Sequence, residues 1–260
     1  MNEVTIPTWP CRLIRHDYLN DNPVGMNVKA DLVFADPPYN QGVKYKNDPT
    51  KDRMTPEEYR EFTRLSIAHL RGMARPGATF WWMTTEEHAD WTGHMLTEMV
   101  GQRLYRIVWH EAFAQYQGNK GLTKDYRFIF CHVVRPEVTT AKDWGRDLLT
   151  WNPDNIRIPS ARQTVYKDKR ANGKGRVPGC VWNIRRLQGT SVDHVDWHPC
   201  QLPPELLARI VHGWSNEGDV VLDGFAGSGS LAKVCRQFKR GFVGIDRSET
   251  YLTEMERELQ

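Results

Sequence analysis

Short apolar runs typical of buried strands alternate along this chain with amphipathic stretches that have the 3.6-residue period of helices. The strand-like runs are Cys11 to Arg15, Asp31 to Ala35, Ala78 to Met83, Leu104 to His110, Tyr126 to Val134, Asp219 to Asp223 and Gly241 to Ile245. The helical stretches are Pro56 to Met73, Glu86 to Met99, Pro204 to Trp214, Leu231 to Phe238 and Glu249 to Leu259. This alternation predicts an α/β fold, with a doubly wound, mostly parallel sheet and helices on both faces.

The apolar run from Asp31 to Ala35 is followed directly by the turn Asp36-Pro37-Pro38-Tyr39. Because proline fixes φ and donates no backbone hydrogen bond, this turn is stiff and can point carbonyl oxygens outward. Asp36 and the Pro37 carbonyl would then offer two acceptors beside the flat ring of Tyr39. That combination suits a planar group with an exocyclic NH2, such as a nucleobase flipped out of a duplex. An ordinary strand-to-loop turn with a surface acid is the alternative.

A glycine-rich segment, residues 224–230, lies between a predicted strand and a predicted helix, which is the context in which such a loop binds a ligand. Gly227 and Gly229 allow the backbone to approach a ligand closely and to adopt φ values that a Cβ would forbid. Asp246 ends the next strand about 20 residues further on, where an acid accepts hydrogen bonds from ribose hydroxyls. The spacing is not the dinucleotide fingerprint and no Walker lysine follows, so the segment favours a nucleoside. A tight turn with no ligand is the alternative.

Together, Asp36-Pro37-Pro38-Tyr39 and Phe225-Ala226-Gly227-Ser228-Gly229 resemble the motifs of the exocyclic-amino DNA methyltransferases, which use S-adenosylmethionine (AdoMet). The base-binding motif precedes the cofactor motif, with a basic segment between them, an order that resembles the beta group of that family. The resemblance covers most of the chain and includes Arg15-His16-Asp17 and the segment from His198 to Pro203. It implies a Rossmann-like AdoMet-dependent methyltransferase fold with an inserted target-recognition region.

The resemblance also implies roles for individual residues. Asp36, Pro37, Pro38 and Tyr39 are expected to be catalytic and to hold the target base. Asp246 is expected to bind the ribose of AdoMet, and Asp17 to lie near its adenine. The full set of expected cofactor-binding residues is Asp17, Asp36, His198, Gln201, Asp223, Phe225, Gly227, Ser228, Gly229 and Asp246.

The chain departs from the family pattern at a few positions near the expected cofactor pocket. These are Gly224 in place of proline, Ser230 in place of threonine, Leu202 in place of lysine and His16 in place of glycine. The differences bear on cofactor affinity and on the shape of the turn. The reaction class that the resemblance implies is unaffected.

Between residues 136 and 195 the alternation of strands and helices stops. This stretch has eleven Lys or Arg against six Asp or Glu, a balance that favours contacts with phosphates. We therefore expect residues 1–135 to form the catalytic half, 136–195 an inserted target-recognition region and 196–260 the AdoMet-binding half. The expected DNA-binding residues are Lys44, Lys46, Arg162, Lys167, Lys169, Arg170, Lys174 and Arg176. A solvated surface insertion is the alternative for the middle region.

Composition further restricts the kinds of binding site and the cellular location to be expected. The formal net charge is only +3, so a DNA-binding surface has to come from local clustering of Lys and Arg. The five cysteines form no Cys-x-x-Cys pair and the nine histidines show no metal-ligand spacing, so neither a disulfide framework nor a metal site is expected. No apolar run approaches the roughly 18 residues of a membrane helix, and no signal peptide is evident. We therefore expect a cytoplasmic protein, encoded by a bacterium or a phage.

The expected activity is methyl transfer from AdoMet to adenine N6 in double-stranded DNA, by base flipping and direct in-line transfer. Transfer to cytosine N4 is the alternative; the resemblance favours adenine because the motif begins with Asp36, where cytosine enzymes more often have serine. A DNA-binding protein that keeps the fold without catalysis is also compatible with the sequence. So is a methyltransferase acting on RNA or on a protein glutamine, although Asn-Pro-Pro-Tyr is usual there. A homodimer and a separate partner nuclease, as in restriction–modification, are both possible.

Overall fold

The computed structural model describes residues 3–21, 27–45, 52–111, 121–135 and 149–260. The strands within these ranges are β1 (Glu3–Ile6), β2 (Cys11–Arg15), β3 (Ala30–Ala35), β4 (Ala74–Thr84), β5 (Arg103–His110), β6 (Tyr126–Val133), β7 (Val181–Asn183), β8 (Val220–Asp223) and β9 (Gly241–Asp246). The α-helices are α1 (Pro56–Gly72), α2 (Glu86–Met99), α3 (Ala161–Thr164), α4 (Pro204–Trp214), α5 (Ser230–Gln237) and α6 (Glu249–Leu259).

The described strands form one mixed sheet in the order β1-β2-β9-β8-β3-β4-β6-β5-β7. The central strands β2, β9, β8, β3 and β4 run parallel, while β1, β6 and β5 pair antiparallel with a neighbour. The predicted doubly wound, mostly parallel sheet is confirmed, with an antiparallel hairpin, β5–β6, on one side. The short strand β1 is an addition that the sequence pattern does not predict.

The chain moves away from the centre of the sheet in two opposite directions. From β3 it passes through α1 to β4 on one side, and from β8 through α5 to β9 on the other. The strands β3 and β8 are parallel neighbours, with Phe34 in register with Asp223. The residues after both strands therefore meet at a topological switch point, the place where open α/β sheets bind ligands.

Side chains of the central strands alternate between two hydrophobic cores, one on each face of the sheet. On β3, Phe34 belongs to the core closed by α4, α5 and α6, whereas Val33 belongs to the core closed by α1 and α2. On β4, Trp81 and Trp82 divide between the cores in the same way, and both are buried. Each large apolar side chain buried in this way contributes about 1.5–3 kcal/mol to stability.

The segment Thr55-Pro56-Glu57-Glu58 begins α1 as its capping pattern predicts. The Glu58 amide donates a hydrogen bond to Oγ1 of Thr55 (3.3 Å), and the Thr55 amide donates one to Oε2 of Glu58 (2.7 Å). This capping box satisfies two amides that the helix itself leaves unpaired. Tyr59 follows in the first turn, and its hydroxyl donates to the Pro38 carbonyl (2.9 Å), which fixes α1 against the turn after β3.

Strand β4 is longer than the sequence pattern predicts. It begins at Ala74, before the predicted start at Ala78, and includes the Pro76-Gly77 pair. The register of its pairing with β3 shifts between Ala30 and Leu32, and Gly77 has a φ of +78°. The glycine thus absorbs a local irregularity, and the strand continues through it.

Part of the predicted insertion packs against the sheet. A 3₁₀ helix (Pro153–Ile156) contacts α4, and β7 pairs with β5 so that Trp182 lies opposite Trp109. Ile156 and Trp182 are both buried. The division at residues 136 and 195 stays a prediction: residues 136–148 lie outside the described ranges, and β7 lies inside the proposed insertion.

None of the described helices is long and apolar enough to cross a membrane. All five cysteines are free thiols. In the part of the chain that the structure describes, no group of three His, Cys, Asp or Glu is arranged to hold a metal ion.

Candidate active site

A cavity of about 1080 Å³ opens where β2, β3, β8 and β9 end. Its walls are the residues after these strands, together with side chains from the β5–β6 hairpin and the segment 198–202. Ligand pockets for a single small molecule have volumes of about 300–1000 Å³. This cavity can therefore hold a nucleoside cofactor together with a nucleobase.

The turn after β3 is held rigidly at the cavity wall. The Pro38 carbonyl accepts the hydrogen bond from α1 described above, and Nε2 of His88 lies 3.1 Å from the carbonyl oxygen of Tyr39. Pro37 is buried, whereas Asp36 and Tyr39 are half-buried and line the cavity. The turn therefore presents its polar side chains to a ligand from a fixed backbone.

Asp36 and Tyr39 contact each other directly. The Tyr39 hydroxyl donates a hydrogen bond to Oδ1 of Asp36. A base that uses this oxygen as an acceptor has to share it with the hydroxyl or replace the hydroxyl. The sequence predicts only a stacking role for the Tyr39 ring, so the contact adds a second function for this side chain.

The charge of Asp36 is finely balanced. Burial raises the pKa of the Asp36 carboxyl to about 6, and the charge of Glu111 adds to the rise. The hydrogen bond from Tyr39 and the positive charge of Arg127 act in the opposite direction. The pKa of the carboxyl therefore lies about one unit below neutral pH. The group is mostly ionised at pH 7, and a change in a neighbouring charge can alter its protonation.

The glycine loop, residues 224–230, is hydrogen-bonded to the carboxylate of Asp246. Oδ2 of Asp246 accepts from the Gly227 amide (2.9 Å), and Oδ1 accepts from the Ser248 amide (2.8 Å). Gly227 has a φ of +47°, and a Cβ at this position would lie 2.8 Å from Nε2 of His198. A larger residue here would be strained and would press against the cavity wall.

Asp223 is a deeply buried acid of the cavity, with 3% of its surface exposed. Its Oδ1 accepts a hydrogen bond from the Phe225 amide (3.1 Å). Burial raises the pKa of Asp223 to about 8, and the charges of Asp36 and Asp246 add to the rise. The carboxyl groups at the carboxyl ends of β3, β8 and β9 therefore repel one another, and a cationic ligand would relieve that repulsion.

The segment after β2 is attached to the glycine loop. The Asp17 carboxylate accepts hydrogen bonds from the Leu19 amide (3.0 Å) and the Asn20 side chain (2.9 Å). The neighbouring Tyr18 is buried, and its hydroxyl donates to the carbonyl oxygen of Gly224 (2.9 Å). Asp17 is thereby held at the cavity wall beside the loop.

His198 and Gln201 form another part of the wall. The His198 ring lies 4.8 Å from the Tyr251 ring, and burial lowers the pKa of His198 to about 4, so the ring is neutral at pH 7. Gln201 accepts from the Val195 amide (2.9 Å) and donates to Oγ of Ser230 (3.1 Å). These contacts tie the 198–202 segment to the start of α5.

The cavity brings together most of the site residues expected from the sequence. Those that line it are Asp17, Asp36, Pro37, Pro38, Tyr39, His198, Gln201, Asp223, Phe225, Gly227, Ser228 and Asp246. Gly229 is not among them. It has a φ of +72° and precedes α5, and a Cβ there would lie 2.7 Å from Cγ of Met255, so its position serves the packing of the helix.

The expected DNA-binding residues that the structure describes do not line the cavity. Those that the structure describes are all exposed: Lys44, Arg162, Lys167, Lys169, Arg170, Lys174 and Arg176. Lys46 lies outside the described residues.

Ion pairs divide the cations of the middle segment into two groups. Arg162 and Arg170 share the carboxylate of Asp168, at 2.6 Å and 3.1 Å. Lys174 pairs with Asp154 (2.6 Å). By contrast, the two lysines at positions 167 and 169 have no ion-pair partner among the described residues. Their charges are therefore the more available ones for phosphate groups.

No sequence motif points to the wall built by the β5–β6 hairpin. Glu111 follows β5 and Arg127 lies on β6; their side chains form an ion pair of 3.2 Å, and both line the cavity. The antiparallel register, which sets Trp109 opposite Arg127, brings them together. Charged residues beside the connection between two consecutive predicted strands are the only sequence signal that could have indicated this wall.

The chain matches a known family over most of its length. The model of the DNA methylase family, which covers both N6-adenine and N4-cytosine enzymes, matches residues 30–257. The chain belongs to this family. It is therefore a DNA methyltransferase, and the methyl donor of the family is AdoMet.

Individual relatives of this DNA methyltransferase agree with the assignment. The type II methyltransferase M.HpaI of Haemophilus parainfluenzae is 29% identical over 230 residues, which cover 88% of this chain and 67% of that protein. The DNA adenine methyltransferase YhdJ of Escherichia coli is 29% identical over 230 residues, which cover 86% of this chain and 74% of that protein. The crystal structure of an M1.HpyAVI–SAM complex shares the fold, with a TM-score of 0.65 over 96% of this chain and 99% of that one, at 17% identity.

Proposed function

We propose that this DNA methyltransferase modifies N6 of adenine at a short specific site in double-stranded DNA. One observation carries the proposal: the turn Asp36 to Tyr39 and the glycine loop meet across the β3–β8 switch point in a cavity large enough for a base and a cofactor. An exocyclic amine can reach such a cavity only if its base leaves the stack, so the proposal includes base flipping.

The base-binding turn is proposed to activate the amine. The lone pair of an exocyclic amine is delocalised into the ring, which makes the nitrogen a poor nucleophile. Hydrogen bonds from its two N–H groups to Asp36 and to the Pro37 carbonyl would draw it toward a tetrahedral, more nucleophilic form. Stacking on the Tyr39 ring holds the base and is worth about 1–3 kcal/mol.

The walls of the cavity suit AdoMet. The carboxyl groups of Asp36, Asp223 and Asp246 favour a cation, the glycine at position 227 leaves room for close approach, and Asp246 stands where an acid binds ribose. Bound AdoMet supplies a methyl group that its sulfonium already activates. The task of the protein is then alignment, and holding the amine in line with the methyl group can lower the barrier by several kcal/mol.

Adenine is favoured over cytosine as the target base. The relative YhdJ is named as a DNA adenine methyltransferase. A carboxylate such as Asp36 is a stronger acceptor than a hydroxyl, and a purine offers a larger ring to Tyr39. Cytosine N4 is the second candidate because the same acceptor pair and the same ring can serve either amine.

The test is to incubate the protein with methyl-labelled AdoMet and, separately, with duplex DNA, RNA or protein. Label should enter duplex DNA only, and digestion to nucleosides should yield N6-methyladenine. N4-methylcytosine without N6-methyladenine would overturn the choice of base and leave the mechanism standing. No label in DNA, with AdoMet binding intact, would overturn the proposed function as a whole.

A further inference from the structure

An ion pair lies beside the base-binding turn on the wall formed by the β5–β6 hairpin. Nη1 of Arg127 is 3.2 Å from Oε1 of Glu111, whose side chain is 7% exposed. The Arg127 guanidinium carbon is also 5.8 Å from the centroid of the Tyr39 ring. One cation thus contacts both an acid of the hairpin and the ring on which the base is proposed to stack.

The two members of this pair act on Asp36 with opposite signs. The positive charge of Arg127 favours the ionised form of the Asp36 carboxyl, and the negative charge of Glu111 disfavours it. The remaining titratable groups whose charges interact with Asp36 are Tyr39, Tyr45, Tyr59, Cys200 and Asp223. Arg127 supplies a positive charge that opposes the effect of burial on Asp36.

We propose that Arg127 and Glu111 are positioning residues that set the charge of Asp36 and hold the Tyr39 ring for methyl transfer. The proposal rests on the proposed function of the Asp36 turn. Neither residue needs to touch the reacting atoms: Arg127 acts through Asp36 and Tyr39, and Glu111 acts by restraining Arg127.

A paired arginine has a physical advantage over a free one. A guanidinium at this wall that was not paired with Glu111 would tend to form a direct ion pair with the Asp36 carboxylate and occupy the oxygens that the amine needs. Because Glu111 partly neutralises its charge, Arg127 can keep Asp36 ionised without forming hydrogen bonds to the carboxylate oxygens of Asp36. The carboxylate then stays both charged and available as an acceptor.

The test is the pH dependence of methyl transfer in a single turnover, at saturating DNA and AdoMet, between about pH 5 and 8.5. R127Q removes the stabilising charge, so the acid limb of the profile should move upward by about one pH unit. E111Q removes the opposing charge, so its acid limb should move downward. R127K keeps the charge and should bring the acid limb back toward that of the unchanged protein.

The matched control is R106Q. Arg106 lies on β5, and its guanidinium stacks 4.3 Å from the Phe128 ring, outside the cavity wall. Its pH profile should match that of the unchanged protein. Profiles of R127Q and E111Q that are unshifted, or shifted in the same direction, would overturn the proposal, because general damage cannot produce opposite shifts. Absence of methyl transfer by the unchanged protein would instead overturn the proposed function.

Discussion

The proposed chemistry depends on two neighbouring side chains at the end of β3, Asp36 and Tyr39. The Asp36 carboxyl is the charged acceptor, and Tyr39 supplies both a ring for stacking and a hydroxyl that donates to Asp36. Because the two side chains are hydrogen-bonded to each other, their roles are separated by substituting each in turn.

Replacing Asp36 with Ala or Asn should lower the single-turnover rate by about 10²–10³-fold, the usual loss when one positioned polar group is removed from a reaction centre. DNA affinity, measured by fluorescence anisotropy, should change little, because the proposed phosphate contacts lie elsewhere. Asp90→Ala, which removes an exposed acid of α2, is the matched control. A near-normal rate in both Asp36 variants would show that this carboxyl is not the acceptor.

Tyr39→Phe and Tyr39→Ala should differ in how they depend on pH. The hydroxyl lowers the pKa of Asp36, so its loss in Tyr39→Phe should raise that pKa. The carboxyl would then take up its proton at a higher pH, and the rate should fall at about pH 6.5 while staying near normal at about pH 8. Tyr39→Ala also loses the stacking ring and should be slow at both values. Equal losses in both variants at both pH values would mean that the hydroxyl itself is needed for transfer.

At the scale of elements, the cations in the described part of the middle segment differ in whether an ion pair already engages their charge. Lys167 and Lys169 are exposed and lack ion-pair partners among the described residues, whereas Arg162 and Arg170 share Asp168. The two lysines are therefore the better candidates for phosphate contacts.

Replacing Lys167 and Lys169 together with Ala should weaken DNA binding and reduce its dependence on salt. Each lost phosphate contact lowers the slope of log affinity against log salt by about 0.9, so the slope should fall by about two. The control is Lys239→Ala. Lys239 lies in the loop between α5 and β9 and pairs with Glu217, so its loss should leave the slope unchanged. An unaltered slope in the double variant would place the DNA-binding surface outside this segment.

Most elements of the fold could be predicted because their sequences carry local signals. The capping box of α1 and the apolar runs of β3 and β8 are examples. β1 and β7 could not be predicted: each is three or four residues long, and exposed positions interrupt its pattern. The turn after β3 and the glycine loop could be located because each is a contiguous motif. Arg127 and Glu111 belong to no motif and meet only through the pairing of β5 with β6.

At the scale of the whole molecule, the cavity concentrates negative charge that comes from both halves of the chain. Asp36 follows β3 in the first half, whereas Asp223 and Asp246 are the last residues of β8 and β9 in the second. Their mutual repulsion exists only when the sheet is assembled. A homodimer and a separate partner nuclease, which the sequence allows, stay predictions at this scale.

The affinity for AdoMet should rise with pH and level off above about pH 8. Burial raises the pKa of Asp223 to about 8, so at pH 7 most of this carboxyl carries a proton that a cationic ligand would displace. Calorimetry at pH 7 in buffers of different protonation enthalpy should detect proton release of up to one per AdoMet bound. In Asp223→Asn the pH dependence should disappear. An affinity that is flat between about pH 6.5 and 8.5 in the unchanged protein would contradict this picture.

The base-binding turn and the glycine loop meet because β3 and β8 are neighbours in the sheet, whatever the order of the strands along the chain. This bears on whether the protein tolerates circular permutation. β2 pairs with β9, and α6 contacts both β1 and β2, so the first and last elements are also neighbours. A circular permutant that joined the region of β1 to that of α6, and opened elsewhere, would therefore keep every strand pair around the cavity. We therefore expect a cyclically reordered gene, in which the cofactor-binding half is synthesised before the base-binding half, to encode a protein that keeps methyl transfer.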